Sequence, residues 1–248
     1  MICLFHRPAR RASIPYRIPY VGPRHISRRF LPILCLAFAL YFGSTGARLV
    51  AQSSDAAPRV VFTKEFPGSS PAYYSVTVWE DGRAIYRTAP DDDSPLKFQL
   101  PADAANQIFR LAEKLDWFKD RKLDSGRKVA FMGKKTLAYG KGDDPSAGRA
   151  EASFNHTEVP EAIEIASLFE RISQTNEHLM RLQNMIRFDR LGVVKELLQI
   201  ETDLDAGRLL GAAQLTPVLE KIQKDRSLVN VAHERAVQIL GKIEAGKN

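Results

Sequence analysis

Cysteine is nearly absent from this sequence: of 248 residues only Cys3 and Cys35 are cysteines, and both precede residue 52. A chain cut after that segment could close no disulfide on itself and could offer no thiolate as nucleophile or metal ligand. Acidic residues are absent from residues 1–51 altogether, where Arg7, Arg10, Arg11, Arg17, Arg24, Arg28, Arg29 and Arg48 stand alone. Long apolar runs are scarce as well. Leu31–Phe42 (LPILCLAFALYF) is the clearest, and twelve helical residues rise only about 18 Å, short of the roughly 30 Å hydrocarbon layer. A polytopic membrane protein is excluded.

Site motifs are equally thin. His156, His178 and His233 are scattered with no second ligand one helical turn away, which argues against a helical zinc site. Asp91-Asp92-Asp93 is consecutive where a calcium loop alternates its ligands. Gly133-Lys134-Lys135-Thr136 has Lys128 where a phosphate loop needs its first glycine, and there is no Gly-x-Ser-x-Gly elbow. No cofactor is expected. A hydrolase would have to draw Asp91 to Asp93, or Asp143 and Asp144, into a cleft as paired carboxylates; this is the alternative to a non-catalytic function.

What is present begins with the leader. Basic residues, then an apolar stretch, then Gly43-Ser44-Thr45-Gly46-Ala47 is the order of a secretory signal, with candidate cleavage after Ala51 or Ala47. The expectation is an exported periplasmic or extracellular protein; the rival is a protein anchored in the cytoplasmic membrane by an uncleaved helix over residues 30–51. The charge supports no nucleic-acid partner. The chain carries a formal +7, but eight of its 36 basic residues and none of its 29 acidic ones lie in residues 1–51, so the remainder carries −1.

Beyond a short linker, residues 52–58, the pattern predicts a small α+β domain over residues 59–156. Arg59–Phe66 and Ala72–Glu80 are rich in β-branched and aromatic residues and are divided by a Pro-Gly-Ser-Ser-Pro turn. Asp81-Gly82 suits a two-residue hairpin turn that sets Val78 opposite Ile85 on the core face and leaves Tyr86 with Trp79, Thr77 and Tyr73 on the other. Pro101 opens a helix with an apolar stripe at Ala104, Ile108, Leu111, Leu115 and Phe118. Val129–Tyr139 and Arg149–His156 complete a mainly antiparallel sheet.

Residues 157–248 predict a helical region. A helix of some 40 residues, capped by Thr157, carries an apolar residue at every seventh position: Ile165, Ile172, Leu179, Ile186, Val193 and Ile200. Its partner is either the chain itself, through shorter helices at Asp203–Leu210, Pro217–Lys224 and Leu228–Ile243 folded into a bundle, or a second copy in a coiled-coil homo-oligomer.

Pro71–Val78 (PAYYSVTV), Asp81-Gly82, Trp117-Phe118, Lys135-Thr136 and Pro160-Glu161-Ala162 together resemble a family of small, uncharacterised α+β domains of exported bacterial proteins. The resemblance covers residues 59–173 and implies a fold and a location, not an activity; the cysteines that members often carry near the Pro-x-Tyr are missing.

One cluster stands out in the body. Lys119, Arg121, Lys122, Arg127, Lys128, Lys134, Lys135 and Lys141 lie among only two acids, Asp120 and Asp124. Such a stretch suits an anionic surface or an acidic envelope protein. The sequence therefore points to an exported or anchored envelope protein acting as a binding or structural module. Cell fractionation combined with the N-terminal mass of the mature chain checks the leader: a soluble product beginning near Gln52 is expected, and an intact membrane-bound chain would establish the anchor.

Overall fold

Strand patterning decides the first layer of the structure, a computed structural model that describes residues 57–141 and 150–246. Both cysteines, both cleavage positions, Asp143 and Asp144 lie outside these residues. Six strands, β1 (Arg59–Glu65), β2 (Tyr73–Trp79), β3 (Arg83–Arg87), β4 (Leu96–Gln99), β5 (Lys134–Gly140) and β6 (Ala150–Phe154), form one sheet in the order β4-β3-β2-β1-β5-β6. Every pairing is antiparallel. Alternate residues face one side: Val60, Phe62, Tyr74, Val76, Val78, Ala84, Tyr86, Leu137, Ala152 and Phe154 are all buried in a single core. Helix α1 (Ala102–Lys114) and the first half of α2 (Pro160–Phe188) cover that side. The fold is α+β with a helical C-terminal region, as the patterning implied.

The hairpin register differs from the expectation by one residue. Val78 pairs with Ala84 and Thr77 with Ile85, so the turn has three residues, Glu80 to Gly82, and Gly82 takes φ +82°. The left-handed conformation at its third residue is the signature of that longer turn. A one-residue slip exchanges the faces of β3. Tyr86 consequently enters the core, 1% exposed, and Ile85 moves to the open face. Strand β4 had no sequence signal of its own; it forms because Leu96 and Phe98 complete the inner face beside Ala84 and Tyr86.

The long helix is broken. Helix α2 starts at Pro160, not at Thr157, whose hydroxyl instead accepts the Val159 N–H at 3.2 Å. It ends at Phe188, and α3 runs from Gly192 to Asp205. Asp189 makes the corner, its carboxylate accepting the Gly192 N–H at 3.0 Å. Instead of a helix at Asp203–Leu210, the chain leaves α3 through a turn at Gly207 and reaches α4 (Thr216–Lys224) and α5 (Asn230–Ala245).

All six heptad residues are buried, but in two cores. Ile165 and Ile172 pack against the sheet, whereas Leu179, Ile186, Val193 and Ile200 pack with Leu219, Ile222, Ala236 and Ile239 of α4 and α5. The chain itself fills the seam that an intermolecular coiled coil would need. The change of core falls inside α2 and not at residue 157. Among the described residues no helix is long and apolar enough to cross a membrane.

Between the cores α2 turns polar. His178 is 0% exposed; its Nδ1 lies 2.6 Å from Glu196 Oε1 and its Nε2 lies 2.9 Å from Asp203 Oδ2. Each ring nitrogen thus faces a carboxylate of α3. Arg181 Nη2 also stands 3.0 Å from Nδ1. Arg181 Nε donates to Glu196 at 2.8 Å, so the guanidinium and the ring share that carboxylate. Asp203 further accepts from Gln174, Gln199 and Arg208. Burial alone would raise the pKa of Asp203, but these donors outweigh it and hold the group down to about 2.

A carboxylate whose folded pKa is depressed stabilises the fold fully above its ordinary range and progressively less as pH falls through the folded value. Thermal melts should therefore show a Tm that declines between about pH 4 and about pH 2. Asp203→Asn should lose roughly 1–3 kcal/mol at neutral pH, because it removes the buried charged acceptor shared by His178, Gln174, Gln199 and Arg208 while Glu196 stays on His178, and it should flatten that acid-side decline.

Candidate functional site

The basic cluster of the sequence lies on the segment between α1 and β5. After Lys114 the chain tightens into a short helical turn, Asp116–Phe118, where Asp116, Trp117, Phe118 and Asp120 take positive φ. Phe118, 0% exposed, and Leu123 anchor the segment in the first core, and Trp117 packs on Tyr139 with ring centroids 4.4 Å apart. Lys119, Arg121 and Lys122 are left in solvent between the two anchors.

From Leu123 the chain crosses toward the end of β6 and is tied down there. Asp124 accepts the Asn155 N–H at 2.7 Å and the Gly126 N–H at 2.8 Å, and the Ser125 N–H donates to the His156 carbonyl at 2.9 Å. Those backbone donors hold the Asp124 carboxyl below its usual range. Asn155 then reaches back across the loop, its Oδ1 accepting the Met132 N–H at 2.8 Å and its Nδ2 donating to the Ala130 carbonyl at 3.1 Å. Gly133, at φ +96°, turns the chain into β5; a side chain there would press on Phe66 Cβ at 3.0 Å.

Residues 129–133 are therefore loop, although their composition reads as strand, and β5 begins at Lys134. The reason is competition for hydrogen bonds: Asn155 takes the Ala130 carbonyl and the Met132 amide that a strand would commit to its neighbours. The consequence is exposure. Val129, Phe131 and Met132 are 43%, 55% and 58% exposed, and Phe131 is backed edge-on by Phe66 at 5.8 Å between centroids.

The eight predicted cations do not form one uniform patch. Lys135 faces the helix-covered side of the sheet, where it and Lys64 both pair with Glu170 of α2, at 3.2 and 3.1 Å. Arg121 pairs with Asp116, and Arg127 with Glu158. Lys141 sits beyond the far end of β5, over the Tyr139 ring at 6.0 Å, seven residues and roughly 23 Å of strand from Lys134. Among the described residues Lys119, Lys122, Lys128 and Lys134 are exposed and have no ion-pair partner. What remains is a cationic ridge with an apolar tip near one end, bracketed by Arg127, Lys128 and Lys134.

A concavity of about 530 Å³ opens between the Ser70-Pro71 turn, Tyr86 and the Glu177, Arg181 and Arg187 side of α2. The Tyr86 hydroxyl is buried there without a hydrogen-bond partner, and burial, reinforced by the charge of Glu177, pushes its pKa up. Two of the three charged groups on this wall already serve the fold: Glu177 accepts from Ser173, and Arg181 is held by Glu196. The buried His178, Glu196 and Asp203 are likewise committed, to one another and to Arg181 and Arg208. Among the described residues no group of His, Asp and Glu converges as a metal site, and the two carboxylates beside His178 stand on different ring nitrogens, not around one point.

Of the carboxylates on which a hydrolase would depend, Asp91, Asp92 and Asp93 lie among the described residues and do not converge. Asp91 and Asp93 are exposed, while Asp92 closes a turn by accepting the Thr88 and Ser94 N–H groups, each at 3.0 Å. No family model matches the chain, and no curated protein matches it.

The apolar tip and Asn155 were both missed in the sequence, where Val129–Tyr139 reads as continuous strand and Asn155 as an ordinary residue after one. The available signal was Gly126 and Gly133 at the two ends of the stretch. Asn155→Ala would orphan two backbone groups of the loop, so it should lose about 1–2 kcal/mol of stability and raise amide hydrogen exchange at residues 126–133 while the sheet core remains protected.

Proposed function

We propose that this chain is a non-catalytic interaction module of the cell envelope, exported or anchored by its leader, which docks through the ridge at residues 119–134 onto an anionic surface. One observation carries the reading: the segment between α1 and β5, fastened at residues 124–132 to residues 155–158, presents Lys119, Lys122, Lys128 and, at the start of β5 opposite Glu65, Lys134 to solvent, none of them in an ion pair among the described residues. An ordinary solubilising surface intersperses both signs, but here residues 119–141 carry a local +6 while the rest of the body, from residue 52 onward, carries −7. A surface cation contributes about 1 kcal/mol near an anionic layer, weakening as salt shortens the Debye length.

The sheet, α1 and the first half of α2 support the ridge, and the helical region stiffens α2 from behind. The test is co-sedimentation with anionic vesicles and with an anionic polymer, polyglutamate, at low and high salt. Replacing Lys119, Lys122, Lys128 and Lys134 by Gln should weaken association on the order of a hundredfold or more at low salt, with little difference at high salt. Association of the variant with both surfaces at the original strength would refute the proposal.

A further inference from the structure

We infer that the surface met by this ridge is a lipid bilayer and that the tip formed by Val129, Phe131 and Met132 inserts into it, with the flanking cations at the level of anionic headgroups. The inference rests on the docking proposal and goes beyond it by naming the partner.

Charge alone would serve a polymer or an acidic protein equally well. The tip separates these. Three apolar side chains, 43% to 58% exposed, stand at the apex of a loop where a polymer-binding surface would carry only donors. None of the three lines the concavity beside Tyr86. The arrangement matches what an interface between water and hydrocarbon requires: apolar groups at the end, and Arg127, Lys128 and Lys134 immediately behind them on both arms. Between Asp124 and Asp143 the sequence has no acidic residue; of the acids brought near through space, Glu158 is neutralised by Arg127 and Glu65 stands opposite Lys134 in the sheet.

The backbone supplies the second argument. Entry into a poorly hydrated layer penalises every peptide group that loses water without gaining a partner. At this tip the Ala130 carbonyl and the Met132 amide are already held by the side chain of Asn155, and the Val129 amide by the Arg127 carbonyl at 3.0 Å. Phe131 is fixed against Phe66 before any surface arrives, so little order remains to be imposed on binding.

Phe131→Trp in the full chain tests the insertion. The variant is mixed with vesicles of equal parts phosphatidylcholine and phosphatidylglycerol bearing brominated acyl chains. The introduced indole should shift to shorter wavelength and be quenched, above the background of the native Trp79 and Trp117. Phosphatidylcholine alone should give neither effect, and adding Lys128→Gln and Lys134→Gln should reverse both. Because these signals come from the tip, binding through the leader does not imitate them. A companion variant, Phe131→Ser with Met132→Ser, should lower partitioning about tenfold or more with an unchanged circular dichroism spectrum.

Vesicle-bound protein whose introduced indole is neither shifted nor quenched would overturn the insertion. So would a spectral shift with polyglutamate and none with vesicles, which would leave the docking proposal standing with an acidic polymer or protein as partner. Indifference of both surfaces to the Lys→Gln substitutions would remove the docking proposal itself.

Discussion

His178, between Glu196 and Asp203, lies where α2 passes from the sheet to the helical bundle. That helix is 29 residues long, about 43 Å, and its two halves bury apolar stripes against different partners. A helix shared in this way could pivot at its middle. The buried polar lock prevents the pivot because it works only at one register of α2 against α3: both carboxylates need their donors, and any slip would strand ionised groups in a site that excludes water. The position of the first half of α2 on the sheet is thereby tied to the packing of the three helices beyond it.

The ridge depends on this arrangement through a short chain of contacts. Residues 155–159 join the last strand to α2, and the loop that carries the cations is fastened to them through Asp124, Ser125, Arg127, Ala130 and Met132. The start of α2 thus forms part of the support for the loop. On the covered side of the sheet, Glu170 holds both Lys64 and Lys135 across the layer, which removes Lys135 from the outer surface and leaves the ridge to residues of the loop.

Where patterning and structure part, the cause is a hydrogen bond or a neighbour remote in sequence. The hairpin slips by one residue because Gly82 serves as the left-handed third residue of a longer turn, and both turn lengths fit the same pair of residues. That small difference decided whether Tyr86 or Ile85 lined the core. Residues 129–133 carry strand composition but lose their ladder to Asn155, some two dozen positions away. The heptad stripe was legible in full, yet its periodicity alone could not say that one helix would break at Asp189 and serve two cores.

Sequence by itself determined the class of the fold, the apolar stripes of α1 and α2, the near-neutral charge of the body and the concentration of cations between residues 119 and 141, because each depends on local composition or on a fixed period. Tertiary structure alone decided which of those cations remain in solvent, which are turned against Glu170, and that Val129, Phe131 and Met132 stand exposed among them. Exposure and ion pairing are set by what lies across the fold, and the side chain of Asn155 and the carboxylate of Glu170 reach these residues through space, not along the chain.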